Sequence, residues 1–204
     1  MIKLYGVTAS RAARCLWMLG ELGREFEQVN VTFRDGGIKA PEYLAINPNA
    51  RIPTLVDGDM VLWESMAINL YLAQKYEGPM HVRSPQVAAQ ATQWSFWAML
   101  EIETLALDLL NHRALLADFA RDASHAERNE LLLRRPLGVL NETLVGREYL
   151  LGNDFTVGDL NVSVILAWAK MARLDFSPLP EVDRWLDVCL ARPLYGRVRG
   201  MAKA

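Results

Sequence analysis

Cysteine and histidine are scarce in this chain. Its 204 residues include two cysteines and three histidines. Cys15 and Cys189 lie far apart, with no C-x-x-C and no metal-ligand spacing, so neither a disulfide framework nor a structural metal is expected. His81, His112 and His125 form no H-x-x-x-H pattern. Charge of one sign is also lacking: 22 basic and 24 acidic side chains leave a net charge of −2, without the basic stripe that nucleic acid requires. No apolar run approaches the roughly 18–20 residues that cross a bilayer. The opening MIKLYGV has no signal-peptide pattern. These absences lead us to expect a cytoplasmic protein with neither a nucleic-acid nor a membrane partner. What is present is a core. Half of the residues, 51%, are hydrophobic, enough at this length for one large domain or two small ones.

The pattern changes character along the chain. IKLYG alternates as a strand, RAARCLWMLGELG has helical spacing with Gly23 as its stop, and FEQVNV alternates again. That βαβ order predicts two parallel strands. PEYLAIN reads as a short helix begun by proline. TLVD and MVLW flank Asp57-Gly58-Asp59, a hairpin signal, and SMAINLYLAQKY reads as a helix. Residues 1–78 are therefore expected to form an α/β thioredoxin-like domain with a mixed four-stranded sheet. Glu77 to Pro85 reads as a linker. Residues 85–204 are expected to form an all-α bundle: one long helix over VAAQATQWSFWAMLEIETLALDLLNH, a second kinked or split at Pro136, a third after DFTVGDL, a fourth over LPEVDRWLDVCLARP and a short last one. In DFTVGDL, Thr156 and Asp159 have capping-box spacing, with Phe155 and Leu160 placed as a hydrophobic staple.

Chemistry is expected at the start of the first helix, where TASRAAR stands. Ser10 and Ala13 occupy the places of a thioredoxin dithiol, so dithiol exchange, which needs a resolving thiol, is not expected. A hydroxyl at a helix N-terminus can instead hold a ligand's thiolate. One hydrogen bond to a charged group, about 1.5–3 kcal/mol, lowers a thiol pKa by about one to two units. The plainer reading, that Ser10 caps its helix, stands beside it. RIPTLVDGDMVLWES adds the other contacts. A proline heading a strand in this topology can be cis, leaving Ile52 to pair with a peptide-like ligand. Ser65 at a helix N-terminus can take a carboxylate, and Glu64 can take an ammonium. Arg51 or Lys39 can meet a second carboxylate.

SRAAR, then NPNARIPTLVDGDMVLWESMAINLYL, then LLGNDFTVGDLNV, resembles the cytosolic glutathione transferases, in order and through nearly the whole chain. The resemblance implies glutathione as co-substrate, no metal, and a serine-type site at Ser10 with Arg14 four residues on, as in theta-, delta-, zeta-like and many bacterial members. Thr8 competes with Ser10 as the hydroxyl; Tyr5 lies inside the first strand. It implies a cis Pro53, Ile52 on the cysteinyl backbone, and Glu64 and Ser65 on the γ-glutamyl end. Asn49, Ala50 and Arg51 stand where the family often has the histidine or glutamine that meets the glycine carboxylate, a departure that leaves this contact open. The absence of an S-S-C motif disfavours isomerisation, and Cys15 is expected to face the core. Thr8, Trp97, Glu101, Leu105, His112 and Trp168, with Trp94 and Leu109, are expected near a hydrophobic electrophile; bundle core is the alternative for each of those on helices. The implied activity is thiolate attack on electrophiles, with peroxidase or dehalogenase chemistry open, in a homodimer. A non-catalytic module that kept the scaffold is the alternative.

Overall fold

The computed structural model describes residues 1–201. Contacts divide the chain into two compact units: Met1–Ser84 together with the chain from Arg192 onward, and Pro85–Ala191. The helix after Pro193 thus belongs with the α/β unit, although the sequence pattern groups it with the bundle.

In the first unit, β1 (Ile2–Tyr5), α1 (Ala12–Glu21) and β2 (Phe26–Val29) form the βαβ unit. α2 (Pro41–Leu44), β3 (Thr54–Asp57), β4 (Met60–Trp63) and α3 (Ser65–Lys75) follow. The sheet order is β2-β1-β3-β4. β1 runs parallel to β2 and antiparallel to β3, and β3 is antiparallel to β4. Leu4 and Leu55 are fully buried, as are Cys15, Trp17, Met18 and Leu19 of α1 and Ile68 and Leu72 of α3. α1 ends where Gly23 takes φ 62°, with the Arg24 N–H returned to the Leu19 carbonyl at 3.1 Å. The hairpin turns at Gly58, φ 63°. Behind it, the Asp57 Oδ2 accepts from Lys75 Nζ at 2.8 Å, Tyr76 Oη at 2.7 Å and Tyr71 Oη at 3.1 Å, tying the hairpin to the end of α3.

The last helix packs on α1. Arg192 donates to both oxygens of Glu21, at 2.8 and 2.7 Å, a bidentate pair of the strong kind. The Tyr195 ring lies 4.9 Å from that of Trp17.

The second unit consists of α4 (Pro85–Trp97), α5 (Thr104–Leu110), α6 (Ala123–Leu144), α7 (Val157–Met171) and α8 (Pro180–Leu190); α9 (Pro193–Met201) is the helix on α1. The long first helix expected here is continuous but contains two π turns, Ala98–Glu103 and Asn111–Leu115. Pro136 neither splits nor ends α6. The carbonyl that loses its donor belongs to Leu132, which is 47% exposed, so water can serve it. The capping box at α7 forms: Thr156 Oγ1 accepts from the Gly158 N–H at 3.2 Å, and Asp159 Oδ2 accepts from the Thr156 N–H at 3.0 Å. The other Asp159 oxygen takes the Leu150 N–H at 2.8 Å and Trp185 Nε1 at 2.9 Å, so one buried carboxylate joins the cap, the preceding loop and α8. Phe155 and Leu160 of the staple are both buried. No helix among the described residues is long and apolar enough to cross a membrane.

Candidate active site

Register brings the candidate residues of the first unit to one end of the sheet. Tyr5 pairs with Thr54, and Thr54 pairs with Trp63. The end of β1, the start of β3 and the end of β4 therefore lie side by side. Each leads into or out of a site segment: Thr8–Ser10, Ile52–Pro53 and Glu64–Ser65.

The Ile52–Pro53 peptide is cis. Neither the N–H nor the C=O of Ile52 has a hydrogen-bond partner among the described residues. The loop before it is held by a buried polar cluster. The Arg51 carbonyl accepts from Tyr43 Oη at 2.5 Å and from Asn47 Nδ2 at 2.9 Å. The same two groups meet Thr54 Oγ1 at 2.8 and 2.9 Å. Asn47 is fully buried, and its Oδ1 takes the Asn49 N–H at 3.0 Å. Ala50 adopts φ 51° within this loop. Sequence reasoning did not single out Tyr43 or Asn47. The clue was Asn47 directly before Pro48, a residue pair that favours turns.

Gly6 connects the loop to α1. At φ 135°, a Cβ there would stand 2.8 Å from Ala12 Cβ and 3.3 Å from Ile52 Cβ. Only glycine allows the backbone this approach.

Glu64 has φ 71° and ψ 115° as the N-cap of α3. For a non-glycine residue that is a strained conformation, at a cost of order 1–3 kcal/mol. It leaves the Glu64 side chain exposed, with Ser65 directly below it buried at 4% exposure. Arg14, itself 2% exposed, donates from Nη1 to Ser65 Oγ at 3.3 Å. A guanidinium thus stands at the N-terminus of an eleven-residue helix, where free N–H groups already favour an anion. Arg14 was noticed in sequence only as a companion of Ser10; the fold places it against Ser65.

Ser10 is half-buried. Its hydroxyl donates to the Val7 carbonyl at 2.7 Å and accepts from the Ala12 N–H at 3.1 Å. It therefore closes the loop into α1, whose formal cap, Arg11, makes no side-chain cap bond. The Thr8 hydroxyl, also half-buried, has no partner among the described residues. Cys15 Sγ sits under the site, fully buried and 3.6 Å from the Ser65 carbonyl. Burial pushes its thiol well above the ordinary range, so it stays protonated and inert. Lys39 and Arg51 are exposed, and their side chains are unpaired among the described residues. Among the described residues no hydrogen bond or ion pair joins either of them to Ser10, Glu64 or Ser65.

The remaining candidates lie in the second unit. Trp97, Leu105 and Trp168 are half-buried and Glu101 is exposed, whereas Leu109 is core. Trp94 and Trp97 meet edge to face at 5.0 Å. Glu101 stands in the first π turn and His112 in the second; such turns recur at functional sites. His112 is engaged locally, accepting the Asp122 N–H at 3.0 Å.

The chain matches family models described as glutathione S-transferase N-terminal domain over residues 1–74 and C-terminal domain over residues 98–193. It is 36% identical to glutathione S-transferase 3 of Zea mays, covering 95% of this chain and 91% of that protein. It is 30% identical to glutathione S-transferase D7 of Drosophila melanogaster, covering 91% and 82%. Among solved structures, the theta-class enzyme of the citrus canker pathogen Xanthomonas axonopodis pv. citri, with glutathione bound, superposes with a TM-score of 0.85 at 30% identity, covering 96% and 95%. Transferase F2 of Populus trichocarpa gives 0.88 at 26% identity, covering 100% and 99%. By sequence over nearly its full length and by fold, the chain belongs to the glutathione S-transferase family.

Proposed function

We propose that the end of the sheet in the first unit binds glutathione as its thiolate and directs it at hydrophobic electrophiles. The observation that carries this reading is the start of α3. Strain at Glu64 presents a free carboxylate beside a buried hydroxyl that is backed by a guanidinium. An α-amino acid head group needs that pairing: its ammonium goes to Glu64 and its carboxylate to Ser65 and the helix N-terminus. The unpartnered N–H and C=O of Ile52 serve the cysteinyl backbone. Lys39 or Arg51 takes the glycine carboxylate.

The thiol then lies by the first turn of α1. The Ser10 hydroxyl donates its hydrogen bond to the Val7 carbonyl in the structure; turning the hydroxyl toward a bound thiolate exchanges that bond for a charge-assisted one, which is the stronger of the two. The thiol proton leaves to solvent. The thiolate forms a carbon–sulfur bond with the electrophile and a leaving group such as chloride departs with the bonding pair. Peroxide reduction and dehalogenation use the same thiolate. Half-buried Trp97, Leu105, His112 and Trp168, with Glu101 and Thr8, are the candidates for shaping the electrophile's environment.

The enzyme is proposed to be cytoplasmic and a homodimer. Met60, Val61 and Trp63 on the edge strand β4 are more than 40% exposed, which is apolar surface that an uncovered edge rarely keeps. A monomer in sedimentation at micromolar concentration removes the dimer.

The test compares conjugation of chlorodinitrobenzene by glutathione and by cysteinylglycine, which lacks the γ-glutamyl group. Turnover with glutathione and a KM at least tenfold higher for cysteinylglycine are expected. Retention on immobilised glutathione without turnover of any electrophile tried favours the non-catalytic module.

A further inference from the structure

Asp108, His112 and His125 meet within the second unit. Asp108 lies on α5, His112 in the π turn that follows it and His125 in the first turn of α6. Each offers one ligand-capable atom, and the three atoms lie within 4.8 Å of one another. His125 Nε2 is 2.8 Å from Asp108 Oδ2, and the two imidazole rings stand 4.5 Å apart. All three side chains are half-buried. Asp108 and His112 stand four positions apart on one continuous helix, and the fold adds His125 from α6.

We propose that Asp108, His112 and His125 bind one divalent late transition metal ion, zinc foremost, and so pin the end of α5 to the start of α6. Two imidazoles and one carboxylate suit zinc, nickel or copper and do not suit magnesium or calcium, which take oxygen ligands. Zinc bonds of about 2.0–2.2 Å place tetrahedral ligand atoms roughly 3.3 Å apart. The widest separation here must therefore close by at most about 1.5 Å, while the 2.8 Å His125–Asp108 pair must open slightly. Side-chain rotation suffices, since the side chains of His125 and Asp108 are 43% and 40% exposed. Three protein ligands leave a fourth position for water.

Binding has a structural signature. His112 Nδ1 accepts the Asp122 N–H, so a neutral ring carries its proton on Nε2. A metal at Nδ1 displaces that N–H directly. A metal at Nε2 requires the ring proton to move to Nδ1, which displaces it equally. In either case the Asp122 amide loses its acceptor. Because Asp122 caps α6 through the Ser124 and His125 N–H groups, the change is confined to a few identifiable amides.

The experiment uses tag-free protein stripped with a chelator, titrated calorimetrically with zinc chloride and, separately, with nickel chloride. One saturable site with affinity near micromolar is expected, weakened at least tenfold in His125→Gln and in Asp108→Asn and unchanged in His81→Gln. Zinc at about 100 times its Kd is expected to raise the folding constant about 100-fold. In the wild-type protein, zinc is expected to shift the Asp122 amide resonance, a readout that does not depend on any variant folding. Absence of saturable binding up to millimolar zinc overturns the proposal. Binding that persists in both variants, or that leaves the Asp122 amide unmoved, also overturns it.

Discussion

The Arg14 guanidinium reaches Ser65 Oγ at 3.3 Å, joining α1 to the first residue of α3 across 51 positions. The buried cation and the helix N-terminus add at one point, and a bound carboxylate answers both. Arg14→Lys keeps the charge but loses the planar fork. We expect KM for glutathione to rise about tenfold, the equivalent of about 1.4 kcal/mol, with little change in kcat. Steady-state kinetics at varied glutathione check it. An unchanged KM with a lower melting temperature means that Arg14 only packs the core.

Ser10 stands between two roles. Ser10→Ala is expected to leave glutathione affinity nearly intact, because the contacts at Glu64, Ser65 and Ile52 remain. Turnover should fall about tenfold or more through loss of roughly 1.5–3 kcal/mol from one charge-assisted bond. The pH–rate profile should move up by about one to two units, since the bound thiol ionises later. Thr8→Ala should do much less. Thr8 is the residue with the unengaged hydroxyl, so abolition of activity by Thr8→Ala, with Ser10→Ala costing only about 1 kcal/mol of stability as a lost cap, reassigns the thiolate to Thr8.

Elements written by local patterning were legible in the sequence. The alternation of IKLYG and FEQVNV, the Asp57-Gly58 turn and the Thr156–Asp159 capping box each depend on neighbours within a few residues. Groups whose role is set by side-chain contacts that no repeating pattern announces were not legible. Tyr43 and Asn47 are ordinary letters until Arg51 folds back onto them. The place of α9 depends on Glu21 and Trp17, which meet Arg192 and Tyr195 from the other end of the chain. Pro136 does not split α6, because the carbonyl it deprives of a donor belongs to Leu132, which is exposed and open to solvent.

Cys15 provides a control on the chemistry. Burial raises its thiol and no thiolate is available at neutral pH; Cys189 is fully buried too. Iodoacetamide at pH 7.5 should leave both thiols unmodified in the native protein and alkylate both in urea, as read by intact mass. Native labelling of Cys15 with parallel loss of activity makes it a participant.

Asp57 sets an acid limit on the first unit. Burial pushes its carboxyl up, but Lys75, Tyr76 and Tyr71 together outweigh that and hold it below the usual value. A carboxylate depressed in the folded state contributes stability above its unfolded pKa of about 3.9, and that contribution is lost as pH falls through the folded value. Asp57→Asn should therefore destabilise by about 1–3 kcal/mol at pH 7. The gap from wild type should shrink below pH 4 as the native carboxylate takes its proton. Urea denaturation of both proteins at pH 7 and pH 3 measures it; a gap that stays constant rules out the charge as its cause.

Gly6 separates site geometry from plain backbone cost. Its Cβ in Gly6→Ala would meet Ala12 Cβ at 2.8 Å and Ile52 Cβ at 3.3 Å, from a φ of 135°. Crowding of this kind costs about 1–3 kcal/mol, and the residue's unusual φ adds a further cost of order 1–3 kcal/mol. Relief comes by parting α1 from Ile52, which moves Ser10 and the Ile52 backbone relative to each other. KM for glutathione should rise and kcat should fall together with stability. Gly58→Ala is the comparison: φ is 63° and nothing lies within 4 Å of the added carbon. It should cost about 1–2 kcal/mol and leave both kinetic constants alone. Equal kinetic damage from the two variants means that stability, not the spacing of α1 and Ile52, governs activity.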